Sequence, residues 1–301
     1  MQFSKKNRMA MLVGDNPFHG ISHLSQERAR SRVTFDPQYA ADLINTSIQN
    51  GANGFMFSVS ETTLSILRSL RKMEMIENLD LYAIVPYAFE YVRLATLVGG
   101  IEGLARRLAK ELVLSRNVKA MVRGLDGLLE ADPISLMEAY LLYELKKVKS
   151  SAGKHSNLVS LILHEVVTDL ALALDLEWLF REYVDFVSKR KITPGFNTCN
   201  FVYLAMKFKD WHLDLSHVVI AAPFNKIGFQ MNPSREECEK VLAEFPPPGI
   251  IAISILAAGH LNPSEAIGYL SGLPNLRGIA VGVSKMEHAC QTFNLLMQKF
   301  G

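Results

Sequence analysis

Short apolar runs bounded by glycine, proline or polar residues recur along the chain, and most are followed by apolar positions repeating every three or four residues. The runs fall at residues 10–14, 54–58, 81–86, 159–164, 192–197, 218–225, 250–257 and 279–283. Each reads as a strand and each repeat as a helix. Asp36-Pro37 opens the first helix, with Asp as N-cap and Pro in the first turn, and Ala40, Leu43, Ile44 and Ile48 share one face. Residues 60–77 are helical, as are 176–190 with Leu179, Tyr183, Phe186 and Val187 on one stripe. A further helix covers 202–210, and Cys238, Val241, Leu242 and Phe245 mark the next. Asn262-Pro263 starts another; Met286, Ala289, Cys290, Phe293, Met297 and Phe300 stripe the last.

The rhythm breaks between residues 87 and 157. Gly99-Gly100, Gly124 and Asp132-Pro133 punctuate several helical patterns there, of which 134–148 is the clearest. Residues 118–122 are a weak strand candidate. The segment reads as a helical insertion after the third strand, within one domain spanning residues 1–301. Eight strands, each leading into helical sequence, predict an α/β fold of the (β/α)₈ TIM-barrel type. Such barrels run to ~250 residues, and the insertion accounts for the excess. A doubly wound open sheet is the competing architecture, but no GxGxxG or GxxxxGK follows any strand.

Alternation adds a test of closure, because barrel strands send successive side chains inward and outward. On this reading Val159, Leu161 and Leu163 face out, with Ser160, Ile162 and His164 inside. Likewise Ile251, Ile253 and Ile255 face out, with Ala252, Ser254 and Leu256 inside; Ile279, Val281 and Val283 face out, with Ala280, Gly282 and Ser284 inside. Thr193, Gly195 and Asn197 face in on the fifth strand, and Ala221, Pro223 and Asn225 on the sixth.

Composition narrows the partners. The 301 residues hold 49% hydrophobic and 21% charged side chains, which excludes a disordered or fibrous chain. Thirty-two basic against thirty acidic residues give a net charge of +2, too balanced to make nucleic acid or an anionic membrane the main partner. A small-molecule substrate is expected instead. The longest apolar stretch, 249–259, is shorter than the ~20 residues a bilayer requires. Lys5, Lys6 and Arg8 precede too short an apolar run for a signal peptide. Cys199, Cys238 and Cys290 are widely spaced and read as reduced thiols, so a cytoplasmic location is expected.

Barrel enzymes carry their chemistry at the carboxyl ends of the strands. His164 ends the fourth strand, aimed inward, where an imidazole can take or give a proton near neutral pH. Glu165 follows it and faces outward if the strand continues. His164-Glu165 begins HExxH, but Thr168 replaces the second histidine, so the zinc motif fails. In Gly14-Asp15-Asn16-Pro17-Phe18-His19-Gly20, two small polar groups, a proline and a histidine crowd a strand end. Asp15 and His19 are candidates for a divalent metal or for polarising a substrate; the alternative is an Asx turn with His19 exposed. Ser58 with Glu61, Asn197 and Asn225 complete the candidate set, the amides suited to holding oxygens. Lys226 follows the sixth strand, where a Schiff-base lysine could stand, but alternation turns it outward.

Gly259 and Gly282 allow close backbone approach by a phosphate after strands seven and eight. Against this, Ser284-Lys285-Met286-Glu287 has the form of a capping box and Glu287 would repel an anion. Arg28, Arg30 and Arg32, with Arg106, Arg107, Lys110, Arg116, Lys119 and Arg123, would favour an anionic substrate if either group folds over the mouth. Solvated faces are the commoner explanation for such runs.

Ile255-Leu-Ala-Ala-Gly-His260, Asn262-Pro-Ser-Glu-Ala266 and Val281-Gly-Val-Ser-Lys285 with His288 resemble the closing units of aldo/keto-reductase-like barrels, over about residues 250–297. The resemblance implies the barrel fold. It also implies an Asp ending strand two, a Tyr after it, a Lys on strand three and a His on strand four. Only His164 matches: Ser58 stands near the Asp position, Glu61 near the Tyr and Val85-Pro86 at the Lys. The expectation is therefore an acid/base enzyme of the lyase or isomerase class acting on a small polar carbonyl or hydroxy compound. An NADP-dependent reductase with a rearranged residue set ranks second, and a non-catalytic barrel whose insertion binds a partner third.

Overall fold

The computed structural model describes residues 8–19, 36–87, 132–246 and 249–301. Eight parallel strands close into a barrel in sequence order. They are β1 (Ala10–Gly14), β2 (Gly54–Ser58), β3 (Asp80–Val85), β4 (Asn157–Leu163), β5 (Thr193–Asn197), β6 (Val219–Pro223), β7 (Ile250–Ile253) and β8 (Leu276–Gly282). Closure is made by β1, which pairs with β2 through Leu12 to Gly14 and with β8 along all five of its residues.

The helices among the described residues are α1 (Pro37–Gln49), α2 (Glu61–Lys72), α3 (Pro133–Ala152), α4 (Glu165–Ala173), α5 (Glu177–Ser188), α6 (Phe201–Asp210), α7 (Arg235–Ala243), α8 (Pro263–Leu270) and α9 (Met286–Phe300). Their starts follow the chemistry of orphan N–H groups. Asp36 accepts from Gln38 N–H, Ser60 and Thr63 form a reciprocal capping box, and Asn262 accepts from Glu265 N–H. The box expected at Ser284 does not form: Lys285 is the N-cap of α9 and no side chain caps it. The strand ends at Gly282 and the helix begins only at Met286, so Ser284 is one residue too early. The apolar pattern does not predict helix α4, because Val166, Leu170 and, just beyond it, Leu174 lie exposed while Ala171 and Leu172 are buried, so no single stripe stands out.

Helix α3 packs against α2, α5 and β3, as the outer helix of the third βα unit. Residues 88–131, where the rest of the expected elaboration and the 118–122 strand candidate fall, lie outside the described residues. Among the described residues no helix is long and apolar enough to cross a membrane.

The barrel interior is filled by Leu12, Met56, Tyr82, Ile84, Ile162, Val219, Ala221, Ile251 and Ala280, with Val159 and Ile253 against them. Alternation holds on β8, where Ile279 and Val281 pack on the helices, and on β4 for Leu161 and Leu163. Two expectations are corrected. A bulge opposite Leu81 and Tyr82 shifts the register, and Val159 packs inward. On β7 the parity is reversed: Ile251 and Ile253 face in, and Ala252 faces the helices. The neighbouring strands supply only Ala221, Gly278 and Ala280 at that level, so bulk must come from β7 to fill the core.

Close packing also explains Gly195. A β-carbon there would lie 2.7 Å from Ile162 Cγ1 and 3.1 Å from the Val219 carbonyl oxygen. Gly195→Ala should therefore lower stability by ~1–3 kcal/mol through overpacking. Urea unfolding measures this directly, and an unchanged midpoint would show that the interior is looser than described.

Candidate active site

The carboxyl ends of the strands surround a cavity of about 410 Å³, within the range of small-molecule sites. Its floor is apolar, made by Met56, Ile84, Ile253 and Ala280, and its walls carry Asp15, Ser58, Tyr87, His164, Glu165 and Asn197.

After β1 the chain turns into a short 3₁₀ helix, Asn16–His19. Phe18 is buried against Phe55, and its N–H donates to the Asp15 carbonyl at 2.8 Å. This anchor folds His19 back onto Asp15. Asp15 Oδ2 accepts from Ser58 N–H at 2.7 Å and meets His19 Nε2 at 3.0 Å. Both side chains are buried, and His19 stacks on Tyr87 with ring centroids 4.8 Å apart. The exposed-histidine alternative is thus overturned. One carboxylate oxygen ties the ends of β1 and β2 to an imidazole. Among the described residues no group of three His, Cys, Asp or Glu could hold a metal ion.

His164 follows the last residue of β4, and its N–H donates to the Val85 carbonyl at 2.8 Å. It is only 6% exposed. The side chain is the N-cap of α4: Nδ1 accepts from Val166 N–H at 3.2 Å. A nitrogen that accepts carries no proton, so the neutral ring holds its proton on Nε2. Burial pushes His164 below the ordinary imidazole value, opposed by the nearby negative charge of Asp15.

Because β4 has already ended, strand alternation does not govern Glu165. It opens α4 and lines the cavity. Burial raises its carboxyl above the usual glutamate range, Asp169 one turn on raises it further, and a hydrogen bond from Cys199 opposes the rise. Cys199 Sγ lies 3.9 Å from Glu165 Oε2. Its own thiol is pushed up to about 12, first by burial and then by the two carboxyls, so it stays protonated as a donor. Asp169 accepts from the Thr198 hydroxyl, from Cys199 N–H at 3.2 Å and from Asn200 Nδ2 at 2.9 Å. Sequence reasoning missed Asp169. Its i, i+4 spacing from Glu165 would have placed both on one helix face had α4 been recognised.

Other candidates stand elsewhere. Glu61 points to solvent, its side chain 72% exposed and 3.6 Å from Arg68. Asn225 is fully buried, but its amide is committed to Phe229 N–H and carbonyl at 2.8 Å each and to the Ser254 carbonyl. It holds the loop that brings Phe229 and Gln230 to the mouth. Ser284 is exposed, and its carbonyl accepts from Tyr39. Lys226 points outward as alternation requires, 3.7 Å from Glu265. Asn16, Gly259 and Gly282 do line the cavity. A β-carbon on Gly282 would meet Pro17 at 2.8 Å, so this glycine admits the β1 loop. The basic runs at 28–32 and 106–123 lie outside the described residues.

No family model matches the chain, and no curated protein matches it. Two solved structures of provisionally assigned aldo-keto reductases from Pseudomonas aeruginosa are similar in fold. One shares 12% identity at a TM-score of 0.57, covering 97% of this chain and 91% of its own. The other shares 13% at the same TM-score, covering 97% and 90%. The likeness is one of fold, a closed eight-stranded parallel (β/α)₈ barrel.

At the positions the sequence resemblance implied, His164 stands at the mouth, Ser58 ends β2, Glu61 faces solvent, and Val85 packs outward against the helices while Ile84 beside it lines the cavity. Among the described residues the cavity lining has two carboxyls and no Lys or Arg.

Two opposing effects act on His164, and they can be separated. Its ring should titrate below ~6.5, with the proton on Nε2 at neutral pH. Asp15→Asn removes the charge that favours the imidazolium, so the midpoint should fall further. Nitrogen-15 NMR of the ring reads both, and a midpoint that rose in the variant would overturn the assignment.

Proposed function

We propose that this chain is an enzyme that moves a proton on a small carbonyl or hydroxy compound at the barrel mouth, in the manner of an isomerase or lyase. The observation that carries the reading is the His164–Glu165 pair: two adjacent residues at one cavity, held in opposite roles by their surroundings. Neutral His164 offers the Nε2 proton to a carbonyl oxygen, where negative charge develops as a neighbouring carbon is deprotonated. Glu165, its carboxyl raised toward neutrality, takes the carbon-bound proton and can return it. Asp15 accepts from Ser58 N–H and keeps the His19 imidazole in place. Asp169 and Cys199 position Glu165.

Proton exchange into deuterated solvent, read by NMR on a panel of hydroxyaldehydes and hydroxyketones, tests this without knowledge of the product. The rate should rise with pH through a midpoint above the ordinary glutamate value, because the base must be ionised. His164→Ala and His164→Gln should each lose 10²–10⁴-fold while keeping the fold by circular dichroism. An amide can hydrogen-bond but cannot shuttle a proton. Retention of more than about a tenth of the wild-type rate would make His164 a structural rim residue.

A reductase is the second reading, supported by the likeness of fold to the provisionally assigned aldo-keto reductases. The mouth's carboxyls and missing relay residues argue against it. NADPH titrated by calorimetry should bind weakly or not at all; saturable low-micromolar binding would reverse the order of the two readings. The three free thiols support a cytoplasmic location.

A further inference from the structure

The polar residues at the mouth fall into two groups. Most are already committed within the protein. Asp15 accepts from Ser58 N–H and meets His19, Asp169 accepts three donors, and Asn225 is bonded on both ends of its amide. Asn197 and Ser58 differ. Each is 7% exposed and lines the cavity. The Asn197 carboxamide enters no hydrogen bond among the described residues, and its carbonyl oxygen is buried without a partner. The Ser58 hydroxyl makes no side-chain hydrogen bond among them either, its backbone N–H being the group that meets Asp15, and the residue lines the cavity. A buried side-chain oxygen left as that of Asn197 is uncommon in folded proteins, and a bound molecule is one means of satisfying it.

The charge at the mouth restricts what that molecule can be. The Asp15 carboxylate acts on the neighbouring His164 as a negative charge, and no Lys or Arg lines the cavity among the described residues. A phosphate or carboxylate on the ligand would have to lose its water beside a like charge, with no Lys or Arg among the described lining residues to offset the cost. Hydroxyl groups carry no such cost, and each can donate to one neighbour while accepting from another. The apolar floor of Met56, Ile84 and Ile253 suits the C–H face of a carbon chain.

We propose that the site takes an uncharged, polyhydroxylated carbonyl compound, sugar-like in its chemistry, with Asn197 and Ser58 engaging its hydroxyls. This rests on the proton-transfer reading only for the carbonyl. A site built to hydrogen-bond a hydroxyl strongly disfavours the analogue lacking it, because its own buried groups are then left unpaired.

Calorimetry on the intact chain tests the proposal. The probes are simple hydroxyaldehydes and ketoses, their deoxy analogues, and the matching phosphate esters and carboxylic acids. At least one uncharged member should bind saturably, about tenfold or more tighter than its charged counterpart and than its deoxy analogue. Asn197→Leu should lose about tenfold in that affinity, with an unchanged or higher Tm, because an unbonded amide is replaced by an apolar group of similar size. Tighter binding of the phosphate or acid, equal binding of the deoxy analogue, or no saturable binding of any uncharged member would overturn the proposal. If Asn197→Leu fails to fold, the deoxy comparison on the wild-type chain decides. Binding is read here without turnover, so a failure of His164 as proton carrier leaves this result standing, and the reverse also holds.

Discussion

Pairing of β1 with both β2 and β8 is the constraint on which the rest depends. Once the sheet closes, the last residues of all eight strands stand on one rim, and the interior beneath must be filled by side chains from every strand. Bulk on one strand then requires small residues on its neighbours. Ile251 is admitted by Ala221, Gly278 and Ala280, and Gly195 is small because Ile162 crosses the space before it. The apolar floor of the mouth is the top of this packed core. Residues far apart in the chain, such as Asp15, Ser58, His164 and Asn197, face one cavity for the same reason.

Two local devices convert that rim into a site with distinct proton affinities. The Asp15 carboxylate, fixed by Ser58 N–H, fastens the β1 loop to the end of β2 and buries His19. The early end of β4 makes His164 a helix cap rather than a strand residue, which commits Nδ1 to the backbone and leaves the proton on Nε2. The same early end brings Glu165 onto the cavity, with Asp169 one turn behind it. Burial then acts in opposite directions on the imidazole and the carboxyl, because in each case it disfavours the charged form. A neutral donor beside a carboxyl raised toward neutrality follows from position alone.

Likeness of fold to the provisionally assigned aldo-keto reductases does not carry their chemistry across. The barrel is common to many reactions, and function rests with the side chains at the mouth. Here Glu61 faces solvent and Val85, at the position where the sequence resemblance implies a lysine, packs outward, while Asp15 and His19 come from the end of β1 and the turn that follows it.

Hydrophobic periodicity and cap residues by themselves determined the order of strands, the start of most helices and the barrel class, since these depend on local sequence and on which face each element must bury. They also placed Asp15, Ser58, His164 and Asn197 at strand ends. They could not determine which way β7 turns its isoleucines, because that depends on the volume left by β6 and β8. Nor could they separate Asn197, with its amide unbonded, from Asn225, whose amide is spent on its own loop. Helix α4, and with it the Glu165–Asp169 pair, was hidden because apolar residues fall on its exposed face (Val166, Leu170) as well as its buried one (Ala171, Leu172), which blurs the periodic stripe. Orientation, partner and burial are set by neighbours distant in sequence, and only the closed barrel brings those neighbours together.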